Sequence, residues 1–438
     1  MTATGSGERS LRAPRGTFDV LPGEGGSRRE LGRVAEQVLE RAGYGYAETP
    51  AFETTELFAR GVGEATDIVQ KEMFSFEDQG GRSLTLRPEG TAGFCRAYIE
   101  HGMHKRPQPV KLWYEGPFFR HEAPQAGRFR QFAQIGAEAL GSDDPSLDAE
   151  AIVLLAGLLE RAGVQGVRLR LSSLGTADTR RAYADDLRTY LRGHEDQLSD
   201  EVRARIDLNP LRAFDSGHPG TRAALVEAPV LVDRLAADDA EHFQTVRALL
   251  DDAGVAYEID PALVRGLDYY TRTVFEFTSD ALGAQSGVGG GGRYDGLVEQ
   301  LGGPATPAVG WAAGVERILL AAPPRPARED RAAGADALPP PVFVALETPE
   351  TGRRPAFMAL RSLWRAGARA EIEQAGRSLK GQLKHASRLG ARAVVIAGDD
   401  GLRVRDMQTR EEQPAPDAEH AAESAFALVA AGEEGAAR

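Results

Sequence analysis

The sequence predicts an α+β protein. An antiparallel sheet flanked by helices carries a helical insertion and is followed by a small α/β domain. Three observations point there. Residues 111–141, KLWYEGPFFRHEAPQAGRFRQFAQIGAEALG, form two strand-like arms around a polar loop at 121–129, the pattern of a long hairpin. Residues 172–255 are mostly helical in pattern and rich in acid, with no glycine cluster. Beyond a Pro/Ala-rich linker, strand-like and helix-like segments alternate, as in a small α/β unit.

The elements follow in order. Ser27 with Glu30 three residues on reads as a capping box. Leu31, Val34, Ala35, Val38, Leu39 and Ala42 keep helical spacing, and Gly43 ends the helix. A strand at Tyr46–Phe52 is broken by Pro50, which places it at a sheet edge or bulge. A helix is predicted over 146–162, stopped by Gly163, and the sheet resumes at 256–279. After the linker come a strand at Val342–Leu346, a helix at 353–366, a strand at Ala368–Glu373, a helix at 377–389 and a strand at Ala393–Ala397. A short GDDGLRV turn follows at 398–404, and the tail beyond about residue 412 reads as partly helical at best.

Two stretches carry the chemistry. In the second arm of the hairpin Phe132, Gln134, Gly136 and Glu138 share one parity, while Ala133, Ile135, Ala137 and Ala139 share the other. Alternate residues of a strand face opposite sides. One face is therefore small and apolar; the other offers a ring, an amide and a carboxylate, with Gly136 leaving floor space for a ligand. The second stretch, LVRGLDYYTRTVFE at 263–276, puts Arg265, Asp268, Tyr269 and Tyr270 in a turn that feeds a strand. Arginine suits a phosphate, because its planar fork is permanently charged and binds oxyanions in pairs of hydrogen bonds.

Together these stretches resemble the class II aminoacyl-tRNA synthetases, and within them the histidyl-tRNA synthetase family. GPFFRHE, RFRQF and IGAE look like the class motif 2, and GWAAGVERILL (310–320) like motif 3. GLDYYTRTVFE and GGGRYDGL (290–297) look like the two signatures of the histidine enzymes. LTLRPEGTA (84–92) and GYAETPAFE (45–53) match the amino-acid loop and motif 1, and APRGTFDVLP (13–22) also fits. The resemblance covers about residues 13–410. It implies a class II antiparallel sheet over residues 1–171 and 256–323, a helical insertion at 172–255, a linker at 324–341 and a C-terminal α/β anticodon-binding domain at 342–438.

The same resemblance assigns roles. Arg120 and Arg265 would steady the α-phosphate of ATP as the catalytic cations. Arg317 and Phe132 would sandwich adenine, Glu122 would accept from its amino group, and Arg128 would lie toward the nucleotide. Glu89, Thr91 and Gln134 would receive the α-ammonium of L-histidine. Glu138 and Tyr270 would meet its imidazole, with Tyr269 and Tyr294 lining the pocket. For Tyr294 and Asp295, packing under the glycine loop and a direct role stay equally open. Gln125 would face the tRNA, and Arg377, Lys380, Lys384 and Arg388 would line an anticodon-side helix whose Leu379, Leu383, Ala386 and Leu389 face the core. Mg2+ would bridge the outer phosphates, no protein side chain being assigned to hold it. A homodimer paired through the 27–43 helix and the Pro50 strand is expected.

Composition bounds the alternatives. At 438 residues the chain should hold two or three domains, and 42% hydrophobic with 27% charged residues is a globular balance. With no apolar run of 18 residues and no apolar core near the N-terminus, neither a membrane span nor a signal peptide is expected, and a cytoplasmic protein is the natural reading. Cys95 is the single cysteine, so an intrachain disulfide is impossible. The net charge of −13 speaks against nucleic acid at first. Yet residues 361–392 hold eight Lys/Arg against Glu371 and Glu373, and 104–131 hold six against Glu115 and Glu122. Screening limits each charge to roughly 8–10 Å, so local patches govern RNA binding; ordinary solvated helix faces are the alternative for each patch.

Gly287, Gly289 and Gly292 satisfy a dinucleotide-binding spacing, but no strand–turn–helix context surrounds them. His101 and His104 lack a third metal ligand nearby. One rival reading is the non-catalytic synthetase-like regulatory subunit of ATP phosphoribosyltransferase. Such paralogues generally lack the C-terminal domain and erode the arginines that Arg120, Arg265 and Arg317 preserve here. The chain departs from the family in the motif 2 loop: Ala123 and Ala126 replace basic residues that commonly face the acceptor end of tRNA.

Overall fold

The computed structural model describes residues 11–63, 66, 68–123, 127–263, 267–283, 286–323 and 341–436. Two compact units emerge, Met1–Arg325 and Pro326–Arg438.

In the first unit, α1 (Pro22–Arg41) opens with proline at its first turn and no side-chain cap. Its start lies five residues before Ser27, so the expected capping box does not exist: proline's fixed φ begins the helix instead. Leu31, Ala35 and Leu39 are its buried stripe. The expected Tyr46–Phe52 strand divides around Pro50. Gly45–Tyr46 (β1) pairs with the large sheet, and Phe52–Thr54 (β2) belongs to a separate one. Next come α2 (Thr55–Val62), β3 (Phe74–Glu77), β4 (Ser83–Leu86) and α3 (Thr91–Glu100). Strands β2, β4 and β3 form a small antiparallel sheet.

The predicted hairpin is present as β5 (Val110–Phe119) and β6 (Gln131–Leu140). Then α4 (Pro145–Ala162) is capped by Asp144, whose side chain accepts from the Ser146 amide, and ends at Gly163 with φ +79. After β7 (Val167–Ser173) the inserted stretch supplies α5 (Ala177–Arg192), α6 (Asp200–Arg205), α7 (Pro219–Leu225) and α8 (Ala237–Asp252). The sheet is completed by β8 (Glu258–Ile259), β9 (Thr271–Ser279), β10 (Gly287–Arg293), then, after α9 (Leu297–Gln300), by β11 (Ala308–Gly314), which leads into α10 (Val315–Ala321).

Eight strands run in the order β1-β5-β6-β11-β10-β9-β7-β8, antiparallel except at the edge pairs β1/β5 and β7/β8. Ile135, Ala137 and Ala139 are buried with residues of α1, α4, α8 and α10 in one apolar layer. The opposite parity of β6 faces away from that layer. The glycine run expected as a loop is instead the strand β10, antiparallel to β9 and β11. A side chain at Gly291 would overlap the Gly310 carbonyl of β11, so the glycines permit close backbone approach.

The second unit is a five-stranded sheet, order β13-β12-β14-β15-β16. It comprises β12 (Val342–Leu346), α11 (Pro349–Arg365), β13 (Ala370–Ile372), α12 (Leu379–Arg388), β14 (Ala393–Gly398), β15 (Gly401–Asp406), β16 (Glu412–Ala415) and α13 (Ala418–Ala436). The tail is thus a full helix. Ala421, Ala422, Ala425 and Val429 bury against the α11 side of the sheet; alanine's small side chain hid this packing stripe from a reading based on large apolar residues.

Candidate functional site

The site is built on the free face of β6. Glu138 is fully buried at its far end, and Phe132 stands near its start. Five strand residues, Gln134 among them, lie between the two, which puts them roughly 20 Å apart.

At the buried end, Thr91 Oγ1 donates to Glu138 Oε1 at 2.8 Å and the Tyr294 hydroxyl to Oε2 at 2.5 Å. Burial outweighs these donors and pushes the Glu138 carboxyl up to about 8. A side chain at Gly310, opposite on β11, would collide with this carboxylate. Gly136 does not leave floor space for a ligand, contrary to the expectation: the Tyr114 ring from β5 fills it, so that any Cβ there would overlap that ring. Tyr114 was missed because its partner across the hairpin is set by register, which the loop length alone does not give. Tyr114 itself stacks on Phe94 of α3, ring centroids 4.6 Å apart.

Glu89 is buried and accepts from the backbone N–H groups of Thr91 (2.6 Å) and Ala92 (3.0 Å), capping α3, with the Tyr269 hydroxyl at 3.5 Å. Burial still holds its pKa above the ordinary carboxylate value. Tyr269 lies 4.9 Å from Tyr270 and 5.8 Å from Tyr294, centroid to centroid, and all three are buried. Gln134 Oε1 is buried without a hydrogen-bond partner, an acceptor kept available on the strand face. Glu89, Thr91, Glu138, Tyr269 and Tyr270 thus belong to one neighbourhood, while Gln134 shares only the strand parity of Glu138. Tyr294, left open by the sequence, touches Glu138 directly.

At the other end, the Arg120 guanidinium lies 5.5 Å from the Phe132 ring centroid, and its Nε donates to the Pro88 carbonyl at 2.9 Å. Its Nη1 is 3.9 Å from Glu122, which pairs more closely with Arg128 at 3.0 Å. Arg317, on α10, donates to the Gly287 carbonyl. Desolvation, with Arg128 nearby, lowers its pKa. Two residues absent from the sequence reading support this end. Arg87 is buried and bonds the carbonyls of Thr49 (2.7 Å) and Pro117 (2.9 Å). Glu316 accepts the Ala133 amide at 3.1 Å and pairs with Arg28 at 2.8 Å. Arg265, Gln125 and Ala126 lie outside the described residues.

In the second unit, Arg377, Lys380, Lys384 and Arg388 are exposed, while Ala386 is buried with Leu379, Leu383 and Leu389 packed beside it. Arg377 is not independent: it pairs with Glu373 at 3.2 Å.

Known proteins resemble this chain in sequence and fold. The family model described as histidyl-tRNA synthetase matches residues 16–318. The chain belongs to the histidyl-tRNA synthetase family. A relative from Rubrobacter xylanophilus, named histidine–tRNA ligase, is 47% identical over 418 residues, 92% of this chain and 96% of its own. One of the same name from Saccharopolyspora erythraea is 46% identical over 412 residues, 93% and 96%. Among solved structures, apo histidyl-tRNA synthetase from S. aureus is 33% identical with a TM-score of 0.75, covering 94% of this chain and 99% of that one. A Bacillus halodurans structure, described as an ATP phosphoribosyltransferase regulatory subunit/histidyl-tRNA synthetase, shares the fold at 21% identity, TM-score 0.61, covering 86% of this chain and 97% of that one.

Proposed function

We propose that this chain activates L-histidine with ATP, giving histidyl adenylate and pyrophosphate, and transfers histidine to the 3' end of tRNA(His). The observation that carries the reading is the gradient along one strand face. A buried, hydrogen-bonded acid, Glu138, lies at one end and a cation over an aromatic ring, Arg120 and Phe132, at the other. The first suits an imidazole, which needs a partner for each ring nitrogen. The second suits a nucleotide, which needs charge for phosphate and a face for the base.

In this reading a histidine carboxylate oxygen attacks the α-phosphorus, the bond to the bridging oxygen breaks, and pyrophosphate leaves. The ribose hydroxyl of tRNA then attacks the acyl carbon and AMP leaves. The protein positions the partners and stabilises charge on the α-phosphate. Arg120 and Arg265 are assigned that charge, Arg317 and Phe132 the adenine faces, and Glu122 its amino group. Arg128 lies toward the nucleotide. Glu89, Thr91 and Gln134 are assigned the α-ammonium, and Glu138 with Tyr270 the imidazole, Tyr269 closing the pocket. Among the described residues no three His, Cys, Asp or Glu converge as a metal cage. Mg2+ would enter on ATP, held mainly by phosphate oxygens and water, where it would neutralise phosphate charge.

Residues 1–171 and 256–323 are assigned catalysis, 172–255 the insertion, 324–341 the linker and 342–438 the anticodon. Gln125 and the basic face of α12 are assigned to tRNA. Among the described residues no helix is long and apolar enough to cross a membrane, and we place the protein in the cytoplasm. A homodimer is also proposed. Phe52 and Phe76, 50% and 44% exposed on the small sheet with centroids 6.3 Å apart, support it.

The test is exchange of pyrophosphate into ATP. Exchange should require histidine; comparable exchange with another amino acid, or none with histidine, refutes the assignment.

A further inference from the structure

We propose that Arg180, on α5 of the inserted stretch, is a positioning residue for the amino-acid pocket, holding in place the segment that presents Tyr269 and Tyr270. Its Nη1 donates to the Tyr270 carbonyl at 2.5 Å and lies 3.5 Å from the Asp268 carbonyl. The guanidinium therefore grips main chain on both sides of Tyr269. A charged donor on a backbone carbonyl is stronger than a neutral one, and this one is half-buried, where water competes poorly.

A second grip follows immediately. Arg272 sits at φ +45, a left-handed conformation costly for a side chain of this size. The root of the insertion holds it there: its N–H donates to the Gly175 carbonyl at 2.7 Å, and its own carbonyl accepts from Leu174 at 2.7 Å. Its Nε donates to Asp239 of α8 at 3.0 Å. The other oxygen of Asp239 accepts from the Thr176 amide at 2.8 Å and Thr179 Oγ1 at 2.9 Å. Both ends of the 268–272 segment are thus fastened to the first and last helices of the insertion. Tyr269 between them stands against Glu89 and Tyr294, and the Tyr270 ring packs beside it at 4.9 Å. Arg180 touches no reacting group in this arrangement; it acts through the position of the tyrosines.

The inference rests on the histidine-activation reading, and the experiment separates the two. Wild-type exchange of pyrophosphate into ATP must first depend on histidine; if it does not, that reading fails, whatever Arg180 does. Given that control, Arg180→Ala should raise the histidine KM about tenfold or more while the ATP KM stays within about twofold. Arg180→Lys, which offers a single-point donor to the same carbonyls, should recover part of the loss. If Arg180→Ala does not fold, the same split is read in Arg180→Lys. An equal rise in both KM values, a fall in kcat alone, or unchanged kinetics would overturn the proposal.

Discussion

The Tyr294 hydroxyl donates to Glu138 Oε2 at 2.5 Å, while Thr91 fills the other carboxylate oxygen at 2.8 Å. Two side chains distant in sequence thereby hold a buried acid that no cation accompanies at hydrogen-bond range among the described residues. Tyr294→Phe should weaken histidine binding about tenfold, the order expected when a buried acid loses one hydrogen-bond partner at a cost of ~1.5 kcal/mol. ATP binding should be unchanged. Calorimetric titration of each ligand checks this; equal losses for both would mean general collapse of the pocket.

Glu138 also makes a pH prediction. A carboxyl pushed from 4.5 to about 8 by burial binds a proton on folding. Its contribution is complete below pH 4.5 and is lost as pH rises toward 8, with a slope of at most about 1.4 kcal/mol per pH unit. Glu138→Gln removes the titration and keeps the shape. The variant should therefore gain thermal stability relative to wild type as pH rises from 5 to 8, while binding histidine more weakly. A melting-temperature difference that stays constant across that range would contradict the assignment.

Arg120→Ala should slow adenylate formation at least about a hundredfold in single-turnover measurements, with histidine affinity little changed. Loss of one preorganised charge stabiliser costs roughly 2.7–4 kcal/mol at the transition state. Arg120 is oriented by the Pro88 carbonyl and the Phe132 ring, not by a carboxylate at close range, so its charge remains available to a phosphate. A rate within a few-fold of wild type would remove Arg120 from the chemistry.

Light scattering at micromolar concentration should give the mass of two chains, and Phe76→Asp should move it toward one. A charge at an exposed aromatic position leaves an isolated chain nearly unaffected but is costly once buried at an interface. A wild-type mass of one chain would contradict the dimer.

Much of this site was legible in the sequence because strand parity is local. Phe132, Gln134 and Glu138 share a face in any strand, and the apolar Ile135, Ala137 and Ala139 decide which face is buried. What stayed hidden depends on contacts between distant segments. Tyr114 beneath Gly136 needs the β5/β6 register. Tyr294 against Glu138 needs the order β6-β11-β10. The glycine run read as a loop because glycine lacks strand propensity; in the sheet, neighbouring backbones demand it. The start of α1 was misplaced because Pro22 needs no polar cap.

Removing residues 326–438 should spare pyrophosphate exchange and cripple aminoacylation. Each described residue assigned to adenylation, from Glu89 to Arg317, lies in the unit Met1–Arg325, which has its own core. The second unit has separate apolar layers and the exposed Lys380, Lys384 and Arg388 of α12. Phosphate contacts lose affinity as salt rises, because bound counterions are released on binding. Aminoacylation by the full chain should therefore fall more steeply between 50 and 200 mM salt than exchange does. Charge reversal at Lys380 and Lys384 should weaken tRNA binding and flatten that salt dependence without altering exchange. Near-normal charging by the truncated chain would refute an RNA role for the second unit; loss of both activities in a folded truncation would refute the division of labour.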